Sequence, residues 1–244
     1  MPFLSNAAKV IPTPLKNVLK LALFRPGLHE RAVLAGPLKG LRFHFDLRAD
    51  TQKWRGVYEQ SLQRWLGKYV EQGSTCFDVG AADGYFSVFM AKLAGPTGAV
   101  HAFEPSELCE RIPSNVELNE HTHALAPVTV YNQFVDSSAR SDSRTGVSID
   151  EVVTNASLER VDVIKVDVDG AEADVLHGAS RTLERFHPHL CVEVHSRDLL
   201  SAVRQILGRY DYTLRLEDAA PHEYRPIEYN AFLFSEEHDG ESAT

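Results

Sequence analysis

Residues 77–86 read FDVGAADGYF. The apolar run TCFDV drives into a turn punctuated by Gly80 and Gly84, and an apolar helical pattern, Tyr85 to Ala94, follows at once. Strand, tight turn and helix N-terminus are the opening unit of a wound α/β sheet, whose ligands sit beyond the carboxyl ends of its strands. Tightness alone requires glycine. It does not require Asp78 and Asp83, which set a carboxylate on either side of the turn. A dinucleotide site would carry GxGxxG and a helix end open to pyrophosphate, which two carboxylates would repel. They suit a ligand bearing an ammonium or sulfonium charge.

Glu104 lies 24 residues beyond Gly80, at the end of the next apolar run, AVHAFEP. An acid in that place accepts hydrogen bonds from both hydroxyls of a ribose. A nucleoside with a cationic amino-acid tail meets all of these conditions, so S-adenosyl-L-methionine is the expected cofactor. Further along, strands and helices alternate. VTVYNQFV is a strand, SIDEVVTN a helix, VDVIKVDVD a strand and GAEADVLHGASRTLERF a helix. HLCVEVH is a strand, RDLLSAVRQILGRY a helix, and YTLRLE with NAFLFSE a closing strand pair. The alternation predicts a doubly wound, mostly parallel seven-stranded sheet with helices on both faces. The last two strands are joined too closely for a parallel crossover, so one of them runs antiparallel.

Before the turn, residues 1–70 read as an extension to a domain spanning 71–236, with 237–244 as a tail. Leu15, Val18, Leu19, Ala22 and Leu23 fall at helical spacing; RAVLAGPLKGLRFHFDLR reads as a β-hairpin. WRGVYEQSLQRWLGKYV reads as one aromatic-faced helix closed by Gly73.

The blocks GVYE, FDVGAADGYFS, AFEP, NVELN, SIDEVV, IKVDVDGAEADVLHGA and CVEVH resemble the FkbM family of S-adenosylmethionine-dependent methyltransferases over roughly residues 40–235. The resemblance implies a class I, Rossmann-like methyltransferase fold and methyl transfer to a hydroxyl oxygen, often on a sugar, glycan or natural product. It points to Asp78, Gly80, Ala81, Asp83, Gly84 and Tyr85 at the methionine end of the cofactor. Glu104 and Pro105 fall at the ribose, and Asp136, after the third strand, near the adenine amine. Tyr58 and Glu59 match a family block and are expected near cofactor or acceptor. Asp83 departs from the family, which often has Asn there.

Methyl transfer is an in-line displacement, so the protein must align the acceptor and remove its proton. Asp167 and Asp169 alternate onto one side at the end of the fourth strand. Asp169 with Glu172 also spells a capping box, D-x-x-E, which leaves Asp167 the better functional candidate. On the fifth strand Glu193 and His195 share a face, and His195, at the carboxyl end, has the intrinsic pKa of a general base. Lys165 on the neighbouring strand is the simplest partner for Glu193. Asp167, Glu193 and His195 form an alternative divalent-metal set, ranked below a metal-free site because their spacing is not diagnostic. HTH at 121–123 and HPH at 187–189 are read as solvated histidines.

The net charge of −9 is uneven, +8 over residues 1–70 and −17 over the rest. An acidic catalytic part argues against nucleic acid as a partner. The basic extension suits packing on its own acidic body, or else an acidic partner or anionic membrane surface. Cys76, Cys109 and Cys191 suggest neither disulfides nor zinc. With Lys16 and Lys20 interrupting the only early apolar run, a cytoplasmic setting is expected. The rival readings are a nucleotide-dependent oxidoreductase, disfavoured by the acidic turn, and a non-catalytic methyltransferase-like binding domain.

Overall fold

The computed structural model describes residues 23–137, 146–218 and 229–236. The expected first helix (residues 15–23), all but its last residue, and the tail at 237–244 lie outside them. By contacts the chain forms two units, residues 1–58 and 59–244.

In the first unit, β1 (His29–Ala32) and β2 (Arg42–Phe45) pair antiparallel, His29 opposite Phe45 and Ala32 opposite Arg42. Phe43 and Phe45 alternate onto one side, their ring centroids 5.4 Å apart. A short helix, α1 (Thr51–Arg55), ends at Gly56, whose φ of 74° lies in the left-handed region. A β-carbon there would stand 1.9 Å from the Ala35 carbonyl oxygen, so the chain must be glycine and must turn. The single helix expected from Trp54 to Tyr69 is therefore two. α2 (Gln60–Tyr69) begins afresh after Glu59, itself at φ 43°, and neither Tyr58 nor Glu59 is helical.

The second unit carries the sheet. Its strands are β3 (Thr75–Val79), β4 (Ala99–Phe103), β5 (Val128–Tyr131), β8 (Val163–Val166), β9 (His189–Val194), β10 (Thr213–Asp218) and β11 (Ala231–Glu236). Their order is β10-β11-β9-β8-β3-β4-β5. The five strands from β9 to β5 run parallel, and β11 is antiparallel to both β9 and β10. The expected architecture is the one observed: a class I, Rossmann-like, mostly parallel seven-stranded sheet with its antiparallel strand near the C-terminus. Strands β3 and β8 are buried along their whole length, as covering by helices on both faces requires. The covering helices include α3 (Tyr85–Ala94), α4 (Arg111–Glu120), α5 (Ile149–Asn155), α6 (Glu172–His177), α7 (Ser180–Phe186) and α8 (Arg197–Leu207).

Winding starts at β3 and goes outward through β4 to β5, then returns to place β8 on the other side of β3. The order therefore reverses between β3 and β8, and the crevice of a wound sheet opens there.

Two expected elements are divided. VTVYNQFV breaks after Tyr131, and β6 (Phe134–Val135) pairs instead with β7 (Gly146–Val147) in a separate ladder. The long helix after Gly170 breaks at Gly178 and Ala179. Asp150 of α5 causes the restart, its carboxylate accepting from the Arg181 and Thr182 amides at 2.9 and 2.8 Å and so capping a new N-terminus. Among the described residues no helix is long and apolar enough to cross a membrane, and Cys76, Cys109 and Cys191 are free and buried.

Candidate active site

A cleft of about 570 Å³ opens at the carboxyl ends of the central strands. Its walls are Val79, Gly80 and Ala82 after β3, Phe103 to Ser106 and Leu108 after β4, Gln133 to Val135, and Asp167 to Asp169 with Ala171 after β8. Gly80, at φ 78°, forms the floor. A β-carbon on it would stand 1.8 Å from the Asp167 carbonyl oxygen, so only glycine lets the two loops meet.

Glu104 faces this cleft from its edge. Its two carboxylate oxygens accept from the Ala82 and Ser106 amides, each at 2.9 Å, which fixes the group in place with lone pairs to spare. Pro105 lines the wall beside it.

The turn carboxylates are placed differently from what their residue types suggested. Asp78 is fully buried beneath the turn, and neither it nor Asp83 lines the cleft. The parallel register sets Asp78 directly opposite Lys165. The Lys165 ammonium pairs with Asp78 at 3.1 Å, reaches Asp167 at 3.6 Å and donates to the Gly80 carbonyl at 2.7 Å. Ser87 adds a 2.6 Å hydrogen bond to Asp78. Asp83 is paired with Arg111 at 3.4 Å. Both negative charges are thus matched by cations of the chain itself, and the carboxylates that line the cleft are Glu104, Asp167 and Asp169.

The same register corrects the expected partner of Glu193. Lys165 is opposite Cys191, so Glu193 falls two residues further along and stands beside Asp167. Glu193 accepts from Asn230 at 2.6 Å instead. Burial alone would strip the Lys165 proton, but Asp78, then Asp167 and Glu59, outweigh it and hold the ammonium above its ordinary pKa. Glu59, missed as a charge of this network by its helical assignment, also acts on Tyr85, whose hydroxyl is pushed up first by burial and then by Asp83 and Glu59.

Behind the wall residue Asp167, both Glu193 and His195 come together with it. One donor atom from each lies within 4.8 Å of the others, close enough to converge on a substrate or a divalent cation. The Asp167 carboxyl is raised to about 6, chiefly by burial, which Lys165 opposes and Glu193 reinforces. His195 Nδ1 lies 2.8 Å from Oε1 of Glu172, a wholly buried carboxylate. That hydrogen bond, more than desolvation lowers it, raises the imidazole above its usual value, with Glu193 and Asp167 adding to the effect.

The capping box expected from Asp169 and Glu172 does not form. Ala171 caps α6 without a side-chain bond, Asp169 stands on the cleft wall, and Glu172 turns inward to His195. Ala81, Gly84 and Tyr85 lie in the turn behind the wall, the Ala81 amide donating to Phe103 and the Gly84 amide to Ala81. Asp136 is not on the wall either. Its carboxylate lies against Gly146, 2.5 Å from where a β-carbon would be, and Gln133 and Phe134 line the cleft on that side. Leu108 and Phe134, 41% and 46% exposed, give the cleft an apolar rim that sequence patterning missed, since Leu108 falls in a short 3-10 turn and Phe134 in a two-residue strand, too short for periodicity to show their faces.

Sequence comparison matches residues 78–214, more than half of the chain, to the methyltransferase FkbM domain. The hexuronic acid methyltransferase AglP of Haloferax volcanii is 24% identical over 188 residues, covering 68% of this chain and 76% of AglP. The FkbM methyltransferase structure from Methylobacillus flagellatus KT superposes with a TM-score of 0.55 at 20% identity, covering 68% of this chain. This chain matches only 44% of the length of that one. TYW2 of M. jannaschii, solved in complex with AdoMet, gives a TM-score of 0.50 at 14% identity over 86% of each chain. The protein belongs to the FkbM methyltransferase family.

Proposed function

We propose that this methyltransferase uses S-adenosyl-L-methionine and methylates a hydroxyl of a sugar or a similar polyol. The observation that carries the reading is a cleft with two unlike walls. On one a fixed carboxylate, Glu104, stands beside a glycine floor, and on the other Asp167 gathers behind it a second carboxylate, Glu193, and a histidine, His195.

The wall fits the cofactor. Glu104 and Pro105 would hold the ribose, Leu108 and Phe134 the flat base, and the Gly80 to Ala82 backbone the amino-acid end. When bound, the cofactor supplies an electrophilic methyl group on a sulfonium. Every other task falls to the chain. Asp167 and Glu193 accept hydrogen bonds from acceptor hydroxyls and align one of them, and alignment of this kind is worth about 7–11 kcal/mol in favourable cases. His195 takes the hydroxyl proton at Nε2, a contribution of roughly 10²–10⁴-fold. Asp167, near 6, and His195, above its usual value, are poised around neutral pH, where proton transfer is most effective. AglP, named for a hexuronic acid, supports a carbohydrate acceptor.

Calorimetry with S-adenosylhomocysteine tests the cofactor, and methyl transfer from labelled donor into a panel of hexoses, deoxyhexoses and hexuronates tests the acceptor. Absence of binding at millimolar ligand in folded protein would overturn the reading. The convergence of three donor atoms favours one second reading, in which a divalent cation helps to hold the acceptor. Loss of transfer in EDTA, restored by Mg²⁺ or Mn²⁺, would select it.

A further inference from the structure

We propose that Glu172 is a positioning residue, which fixes the His195 ring as the tautomer with its proton on Nδ1 and so presents the Nε2 lone pair toward Asp167 and Glu193. The inference rests on the reading of His195 as the base.

Glu172 has no structural reason to be an acid. It opens α6, yet the helix is capped at Ala171 without any side-chain bond, and the Glu172 side chain runs inward to complete burial. A carboxylate taken out of water is costly unless paired. Its Oε1 meets His195 Nδ1 at 2.8 Å, with only a long 3.4 Å approach from the Gly170 amide besides, and Oε2 has no hydrogen-bond partner among the described residues. Leaving half of such a group unsatisfied is tolerable only where the other half has a task.

The two faces of the imidazole are unequal. Nδ1 is committed. Nε2 lies 3.9 Å from Asp167 and 4.0 Å from Glu193, too far for a hydrogen bond and far enough for an oxygen atom to approach between them. A carboxylate accepts only, so neutral His195 must give it the Nδ1 proton and keep its lone pair on Nε2. After transfer the hydroxyl proton resides on Nε2, the Nδ1 proton remains with Glu172, and the imidazolium stands among Glu172, Asp167 and Glu193. This is the division of labour of an acid–histidine pair, in which the acid orients and stabilises without itself taking the proton.

The test uses the full chain with ¹⁵N-labelled histidine, its His195 signals assigned by loss in His195→Ala. Wild type is expected to show the Nδ1–H tautomer, with and without S-adenosylhomocysteine. Glu172→Met should release the ring to a mixture while S-adenosylhomocysteine affinity is kept. Methyl incorporation into the pooled sugar panel should fall about 10²–10⁴-fold in that variant. The double variant Glu172→Met/His195→Ala should be no slower than His195→Ala, because groups acting as a unit are not additive. Glu172→Gln, which keeps an acceptor and loses the charge, should retain the tautomer and lose less activity. If Glu172→Met does not fold, wild type and Glu172→Gln decide by tautomer alone. An Nε2–H ring in wild type, or an unchanged ring and rate in Glu172→Met, overturns the inference. Full activity in His195→Ala would instead overturn the base reading, and the tautomer measurement would still decide whether Glu172 holds the ring.

Discussion

The carboxyl ends of β3 and β8 both gather acids and treat them in opposite ways. Under the glycine turn each carboxylate has its cation, Asp78 with Lys165 and Asp83 with Arg111. Around Asp167 on the cleft wall, Glu172 and Glu193 gather about His195, and Asp167 alone of the three also meets the outer reach of Lys165. Matched charges hold a backbone shape. In the second group Asp167 and His195 carry perturbed proton affinities, and such groups gather where proton chemistry is done. The difference lies in the partners: the turn acids are held by cations of the chain, Lys165 and Arg111, while the second group shares one histidine.

The most severe way to break this contrast is Lys165→Met. It leaves Asp78 buried without its ion partner and removes the donor to the Gly80 carbonyl. A loss of about 3–5 kcal/mol is expected in urea unfolding, the penalty of an orphaned buried charge. A loss below about 1 kcal/mol would mean that the pair is not what shapes the turn.

Asp167→Asn should act with the opposite sign. The folded pKa of about 6 lies above the ordinary 3.8, so the native state binds this proton more tightly than the unfolded chain does. The resulting stability is fully present below about 3.8 and is lost as pH rises through about 6. At about pH 7.5 the ionised carboxyl costs the native state up to roughly 3 kcal/mol, which Asn avoids. The variant should therefore be the more stable protein at neutral pH, match wild type near pH 3, and transfer methyl groups poorly. Equal stability at both pH values would show that the acids of the cleft are balanced after all.

This contrast also marks how far the residues alone could be read. The sheet was legible, since buried parallel strands must be near-continuous apolar runs and their spacing forces helical crossovers. The places of Glu104, Asp167 and His195 just past strand ends were legible because strand ends in a wound sheet face one crevice. Register was not. Asp78 meeting Lys165, and Glu193 missing it by two residues, depend on how β8 slides along β3 and β9, which no local pattern encodes. Glu172 was hidden for a different reason. Its spacing from Asp169 satisfied a local rule, and tertiary packing gave it a stronger partner. The break between α1 and α2 was missed because Gly56 is set by the distant Ala35 carbonyl, not by its neighbours in sequence.

A smaller effect is expected at the edge between the two regions. Glu104→Gln turns one of the two acceptors facing the Ala82 and Ser106 amides into a donor. Affinity for S-adenosylhomocysteine should weaken about 10- to 100-fold, the span of roughly 1–3 kcal/mol expected for a mispaired buried polar group. Global stability should move less, since the substituted side chain keeps one acceptor oxygen for these amides. An unchanged affinity in folded protein would remove Glu104 from the cofactor site.

The smallest effect separates the inner from the outer pair of the turn itself. Arg111 side-chain exposure is 22%, against 3% for Lys165, and its guanidinium lies 3.4 Å from Asp83. Solvent can partly replace a cation in that position, and mobile ions can screen it. Arg111→Ala should thus cost about 1–2 kcal/mol in dilute buffer, less than a fully buried pair and more than a surface one. The cost should shrink in about 1 M salt, where charges interact over only ~3 Å. The Lys165→Met penalty should persist there, because no ion reaches Asp78. If both penalties fade together in salt, the inner pair is wet, and the division between a structural turn and a reactive cleft loses its physical basis.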